Sequence, residues 1–227
     1  MKRYIIQAIR KLADNGRLFC SEADFQFALA WELQEILSSA HILLEFGVDV
    51  ITRSSPSICD TFYVDIVVVL DEKRYYIELK YHTSKCNYSY CGYQIRLKNQ
   101  GAQDLLRYDY LKDIDRLLTI SKTDEGSFGG GYAIVLTNDK LIYETPWSVS
   151  KKVLDYFFRI HERVGSRTQE YPIPGGTVLW NNKTKGEGHW TTKGSRAAKL
   201  KLPQSINTRW DMYFTDRQDF RYLINEI

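Results

Sequence analysis

Tyr4, Ile5, Ala8, Ile9 and Leu12 recur at the spacing of one helix face, and Gly16 offers a stop. Ser21 follows as an N-cap, with Asp24 three residues on in a variant capping box, and predicts a second helix to about Leu37. The period then changes from helical to two. Strands are predicted from about Ile42 to Phe46, Tyr63 to Leu70 and Arg74 to Tyr81. A Tyr-, Cys- and Asn-rich stretch from Thr83 to Tyr93 reads as a loop, and a helix follows from about Ala102 to Leu118. The segment from Asp124 to Gly131 is a flexible turn before a buried strand, Tyr132 to Thr137. The pattern loosens from about Glu144. A helix is expected from Val149 to Val164, then short β-like pieces after the break at YPIPGG. Three strands in succession and a helical crossover to a fourth predict a mixed β-sheet core flanked by helices, in the α/β class. The expected division is a core over residues 1–145 and an appended α+β lobe over 146–227, packed on it.

The strand pair YVDIVVVLDEKRYYIELKY places charge where a sheet wants apolar residues. Alternation puts Asp65, Val67 and Val69 on one face of the first strand, and Tyr76, Glu78, Lys80 and His82 on one face of its partner. A two-residue turn on Asp71 and Glu72 sets Asp65 opposite Glu78, whereas a turn two residues longer sets it opposite Lys80. Both registers gather the three charges on one face. Two carboxylates side by side in a Val/Ile-rich setting need a cation. Lys80 supplies one charge, and a hard divalent ion, Mg²⁺ or Mn²⁺, would supply the rest. Asp60 is the alternative acid, in a polar turn before the strand.

Two helices carry related oddities. At about 100° per residue, Glu22 falls within the arc of Phe25, Leu29, Leu33 and Ile36, with Gln26 one turn later. Gln103 and Arg107 lie one turn apart on the stripe of Tyr110, Ile114, Leu117 and Leu118. Polar groups on an apolar face need an internal partner.

An acid-bearing helix, a strand with Asp65, a hairpin to Glu78-Leu79-Lys80, then helix and strand resembles the PD-(D/E)xK phosphodiesterase superfamily, the restriction-endonuclease-like fold, over about Gly16 to Asp139. The resemblance implies that Asp65, Glu78 and the Leu79 carbonyl bind metal and that Lys80 orients or deprotonates the attacking water. Glu22 would be the acid of the first helix, and Gln103 the polar residue of the helix after the ExK strand. Val64 stands where the motif has proline. The implied activity is metal-dependent hydrolysis of DNA phosphodiesters. The alternatives are a silent nucleic-acid- or partner-binding module on the same fold, and a nuclease acting on RNA. A homodimer would suit cleavage of both strands of a duplex.

Charge adds a second candidate surface. The net charge of +3 permits a polyanionic partner without demanding one. Between Trp180 and Lys201, however, Lys183, Lys185, Lys193, Arg196, Lys199 and Lys201 face a single acid, Glu187, with Trp180 and Trp190 interleaved. Basic and aromatic side chains on such a loop suit phosphate contact and base stacking, so Lys183, Lys185, Lys193, Arg196 and Trp190 are nucleic-acid candidates, with His82 and Arg107. Tyr88, Tyr90 and Tyr93 form a weaker case of the same kind.

Four cysteines are too few and too irregularly spaced for a disulfide framework, and a zinc site from His82, Cys86, Cys91 and Cys59 lacks ribbon spacing. Arg10 and Lys11 interrupt the apolar stretch a signal peptide would need, and the longest apolar run, Ile66 to Leu70, is far short of the ~20 residues that cross a bilayer. A cytoplasmic protein with no membrane partner is expected.

Overall fold

The structure, a computed structural model, describes residues 1–51, 59–144, 159–162, 177–179, 199–203, 206–214 and 219–227. Helix α1 (Lys2–Asp14) buries Ile5, Ala8, Ile9 and Leu12, the face its spacing predicts. Helix α2 (Glu22–Ile36) starts at Ser21, whose hydroxyl accepts the Asp24 N–H, while the Asp24 carboxylate accepts the Cys20 N–H in return. Strands β1 (His41–Ile51), β2 (Cys59–Leu70) and β3 (Lys73–His82) form an antiparallel meander. Helix α3 (Gln103–Thr123) then crosses to β6 (Phe128–Thr137), which lies parallel to β3. Among the described residues, the sheet is mixed, six-stranded and ordered β1-β2-β3-β6-β10-β9, with β9 (Asp211–Phe214) and β10 (Phe220–Glu226).

Helices α1 and α2 cover one face of this sheet over Ile66, Val68, Ile77, Leu79 and Ile134. Helix α3 covers the other, over Val67, Tyr76, Ala133, Val135 and Leu223. A short helix, α4 (Lys140–Tyr143), follows β6 on the α3 side. A two-stranded piece, β7 (Thr177–Leu179) with β8 (Lys199–Lys201), brings the buried Leu200 to that same side.

Three expectations change. The division near residue 145 does not separate a lobe from the core, because β10 pairs with β6 inside the main sheet. Phe220, Tyr222, Leu223 and Ile224 are buried in the two cores, so this terminal stretch completes the sheet. The segment after β3 is not a loop but a hairpin, β4 (Cys86–Tyr90) and β5 (Tyr93–Leu97), turning on Cys91 and Gly92. Strand β6 begins at Phe128, within the glycine run expected to be a turn. Gly129 lies beneath the Tyr75 ring, where a Cβ would sit 2.6 Å from that ring, so any other residue there would have to displace Tyr75. The helix expected from Val149 to Val164 falls largely outside the described residues, and residues 159–162 are not helical.

Leu70 pairs with Lys73, so the β2–β3 turn is the two-residue one, with Asp71 and Glu72 both left-handed at φ 51° and 63°. Such a turn matches the twist of a hairpin but favours glycine at its second position. Glu72→Gly is therefore expected to raise stability by about 1 kcal/mol in urea unfolding. An unchanged midpoint would show that Glu72 carries no strain.

Candidate active site between β2 and β3

The charged cluster arises where the sheet breaks its own rule. Opposed residues of β1 and β2 keep a constant register throughout, from His41 with Val69 to Ile51 with Cys59. Yet Ile42, Leu44, Ile66 and Val68 face the α1–α2 core, while Val48, Val50, Phe62 and Val64 face the α3 core. Both strands thus change face at the Glu45–Asp65 step, where Glu45 takes φ 49° and the pair drops out of the ladder. Gln26, buried on α2, fills the step: its amide donates to the Asp65 carbonyl (2.6 Å) and to Glu45 Oε1 (2.9 Å). The inward Gln26 that the helix arc predicts has this partner.

Past Ile66–Ile77 the pairing of β2 with β3 ends, which frees one edge of β3. Side chains take over that edge. The Leu79 N–H donates to Asp65 Oδ2 (2.5 Å), and the Tyr81 N–H donates to Glu22 Oε2 (2.7 Å). Lys80 Nζ donates to the Leu79 carbonyl (2.9 Å). Glu22 is exposed at the first turn of α2, not in mid-face as its helical angle suggests, yet its carboxylate turns in to the strand. Asp65, Lys80 and Glu22 therefore converge on one short stretch of backbone.

Helix α3 closes the site from the other face. Asp113 Oδ2 lies 2.6 Å from Lys80 Nζ, and Arg116 Nη1 lies 3.2 Å from Glu78 Oε1 and 3.6 Å from Asp113 Oδ1. Arg116 also donates to the Tyr63 carbonyl and stacks over Phe62, which ties α3 to β2 beyond the face change. Four carboxylates (Glu22, Asp65, Glu78, Asp113) thus meet two cations (Lys80, Arg116). Glu78 is only 2% exposed, and its Oε1 faces Arg116 at ion-pair distance without hydrogen-bond geometry.

The electrostatics follow. Burial, then the Asp113 charge, pushes the Glu78 carboxyl well above its usual range, and Arg116 offsets only part of this. Burial likewise raises Asp65 and Glu22, against the pull of the Leu79 amide on Asp65 and of Lys80 on both. For Lys80, burial opposes the charge, but Asp113, Glu22 and Asp65 outweigh it and hold the ammonium's pKa above its ordinary value.

Three further sequence candidates, Gln103, His82 and Arg107, lie at the far end of β3. Gln103 donates to Asp139 Oδ2 (2.9 Å), and His82 Nδ1 lies 3.7 Å from that same oxygen. Arg107, buried, donates to the Leu141 carbonyl. Gln103 thus meets His82 through Asp139 and makes no hydrogen bond to Asp65, Glu78 or Lys80 among the described residues. Burial lowers the His82 pKa. Asp60 is exposed and pairs with Val50, five residues from Asp65 along β2. Cys86 is buried at the base of the β4–β5 hairpin and Cys91 exposed at its turn, so these two members of the zinc alternative lie at opposite ends of β4. Lys183, Lys185, Lys193, Arg196 and Trp190 lie outside the described residues.

Asp113 and Arg116 were not singled out by the sequence. Asp113 had a signal: Leu106, Tyr110, Leu117 and Ile120 flank it at three-and-four spacing, and all are buried with it. Arg116 had only its i,i+3 spacing from Asp113.

Among the described residues no three His, Cys, Asp or Glu side chains form a group that could hold a metal. The set implied for Mg²⁺ or Mn²⁺ is smaller, two carboxylates and a carbonyl: Asp65, Glu78 and Leu79. Its donors are hard oxygens of the kind such an ion takes, and the buried Glu78 Oε1 makes no hydrogen bond, although Arg116 faces it at 3.2 Å. No helix of the described residues is long and apolar enough to cross a membrane. Comparison of the chain with family models, with curated proteins and with solved structures gave no match.

Proposed function

We propose that the chain is a metal-dependent nuclease of restriction-endonuclease-like fold that hydrolyses DNA phosphodiester bonds. One observation carries this reading: Asp65, Lys80 and Glu22 all engage the free edge of β3, beside Glu78. Four grouped carboxylates relieved by only two cations, Lys80 and Arg116, disfavour a phosphate unless a divalent ion joins them. Asp65, Glu78 and the Leu79 carbonyl would hold Mg²⁺ or Mn²⁺, which when bound supplies Lewis acidity and a water of lowered pKa. Lys80, kept charged by Asp113, Glu22 and Asp65, suits orienting the attacking water and offsetting charge that builds on phosphorus. The same charge argues against Lys80 as the base.

A specific observation favours a second reading, a silent DNA-binding module: Glu78 and Lys80 are each engaged by α3, through Arg116 and Asp113. Incubation with supercoiled plasmid, single-stranded DNA or RNA in Mg²⁺, Mn²⁺ or EDTA separates the two. Nicking that requires metal supports the nuclease, and the preferred polymer decides between DNA and RNA. Tight DNA binding without cleavage in any metal supports the module.

A further inference from the structure

The β4–β5 hairpin joins the charged strand β3 to the helix α3 that closes its site, and its two faces differ sharply. Cys86, Tyr88, Tyr90, Tyr93, Ile95 and Leu97 share the inner face. The Tyr88 hydroxyl donates to the Gly16 carbonyl, its ring meets Phe214 edge-on, and Cys86 and Leu97 are buried in the α1–α2 core. The outer face carries Asn87 opposite Arg96 and Ser89 opposite Gln94, all four exposed. Lys85 and Lys98 flank its base, exposed as well, and Tyr93 at the tip is 77% exposed.

From Thr83 to Gly101 the chain contains no acid, in a protein with 28 of them. Among the described residues none of Lys85, Arg96 and Lys98 forms an ion pair. The base is held firmly: the Thr83 N–H donates to the Gln100 side chain, the Gln100 N–H to the Thr83 carbonyl, and the Ser84 N–H to Asn138 beyond β6. The hairpin is thus an anchored ribbon with one face of cations, amides and a hydroxyl turned to solvent.

We propose that this outer face binds duplex DNA, as a two-stranded ribbon laid along the major groove with Lys85, Arg96 and Lys98 on phosphates and the Asn87 and Gln94 amides near base edges. The major groove, roughly 12 Å wide, admits such a ribbon, and Asn and Gln match the donor–acceptor pairs that bases display there. Cations without acidic partners are what binding to phosphate requires. The choice of DNA rests on the proposed function, but binding does not require turnover.

The test is fluorescence anisotropy of a ~30-bp duplex and a matched single strand, in EDTA, over a salt series. The K85A/R96A/K98A variant, its fold checked by circular dichroism, is expected to bind the duplex roughly thirtyfold more weakly. Its slope of log affinity against log salt should be shallower by about three, one for each phosphate that is no longer neutralised. Arg96→Gln alone should lower the slope by about one, which keeps the test open if the triple variant does not fold. An unchanged slope, single-stranded DNA competing as well as duplex, or no binding by the wild-type protein overturns the proposal. Cleavage by Lys80→Ala, measured alongside, separates the two claims. If Lys80→Ala cleaves like the wild type while the triple variant loses binding, the nuclease reading fails and the hairpin stands. If Lys80→Ala alone loses cleavage and the triple variant binds normally, the hairpin fails.

Discussion

Replacing Lys80 with alanine is expected to lower metal-dependent cleavage by about 10²–10³-fold, the effect of removing one group that offsets charge in a transition state. It should also cost stability, because Asp113, 5% exposed, loses the ammonium 2.6 Å away while the lysine itself is only 20% exposed. Breaking a buried pair from one side costs about 3 kcal/mol at the lower end of its range. The two losses can be separated. The double variant Lys80→Met, Asp113→Leu replaces the pair with apolar groups of similar size, so its urea midpoint should recover most of the loss. Its cleavage should stay as low as that of Lys80→Ala. If the double variant regains both stability and cleavage, Lys80 serves only to neutralise Asp113 and has no part in the reaction. Binding of duplex DNA in EDTA should be nearly unaffected in both variants, since Lys80 pairs with Asp113 within the cluster and not along the hairpin.

How much of this site is legible in the chain alone depends on how local each feature is. The β2–β3 register is local but not unique in the sequence: a two-residue turn on Asp71 and Glu72 and one two residues longer both gather the charges, and the observed pairing of Leu70 with Lys73 selects the shorter turn, with the ladder ending at Ile66 and Ile77. The capping box at Ser21 and the apolar stripe of α1 are equally local. The change of face at Glu45 and Asp65 is not. Simple alternation predicts one face for each strand, and only the competing demands of two cores, with Gln26 inserted between them, make both strands turn over together. Arg116 is another case: its i,i+3 spacing from Asp113 marks a pair on the helix, but its contacts with Glu78 on β3 and the Tyr63 carbonyl on β2 leave no local signal. The place of β10 beside β6 pairs residues more than eighty positions apart, which period alone cannot assign. The β4–β5 hairpin departs from expectation for a different reason. The alternation of CNYSY and YQIRL around Cys91-Gly92 is a hairpin signal, but tyrosines and amides on its faces resemble loop composition.

The wild-type protein should become less stable as pH rises through and above the ordinary carboxylate range, and Glu78 should be the main source. The sign follows from proton linkage. In the folded state Glu78, Asp65 and Glu22 all hold their protons to higher pH than in the unfolded chain. Between the two sets of pKa values the folded state binds more protons, so raising the pH favours unfolding. The stability is complete below the unfolded pKa values and is lost as pH passes through the raised ones. Glu78→Gln keeps the shape and removes the charge, and Arg116 retains Asp113 and the Tyr63 carbonyl. Its melting temperature should match the wild type near pH 4 and exceed it at pH 8. Each pKa unit of displacement is worth about 1.4 kcal/mol, or roughly 3–5 °C for a chain of this size. Asp65 and Glu22 remain, so the variant's pH dependence should be shallower, not flat. Addition of Mg²⁺ at pH 8 should raise the wild-type melting temperature and leave Glu78→Gln nearly unchanged, because a divalent ion neutralises the charge that the substitution removes. A melting-temperature difference between the two proteins that is the same at pH 4 and pH 8 would show that Glu78 is not the strained acid. A Mg²⁺ shift of equal size in both would take Glu78 out of the metal-binding set.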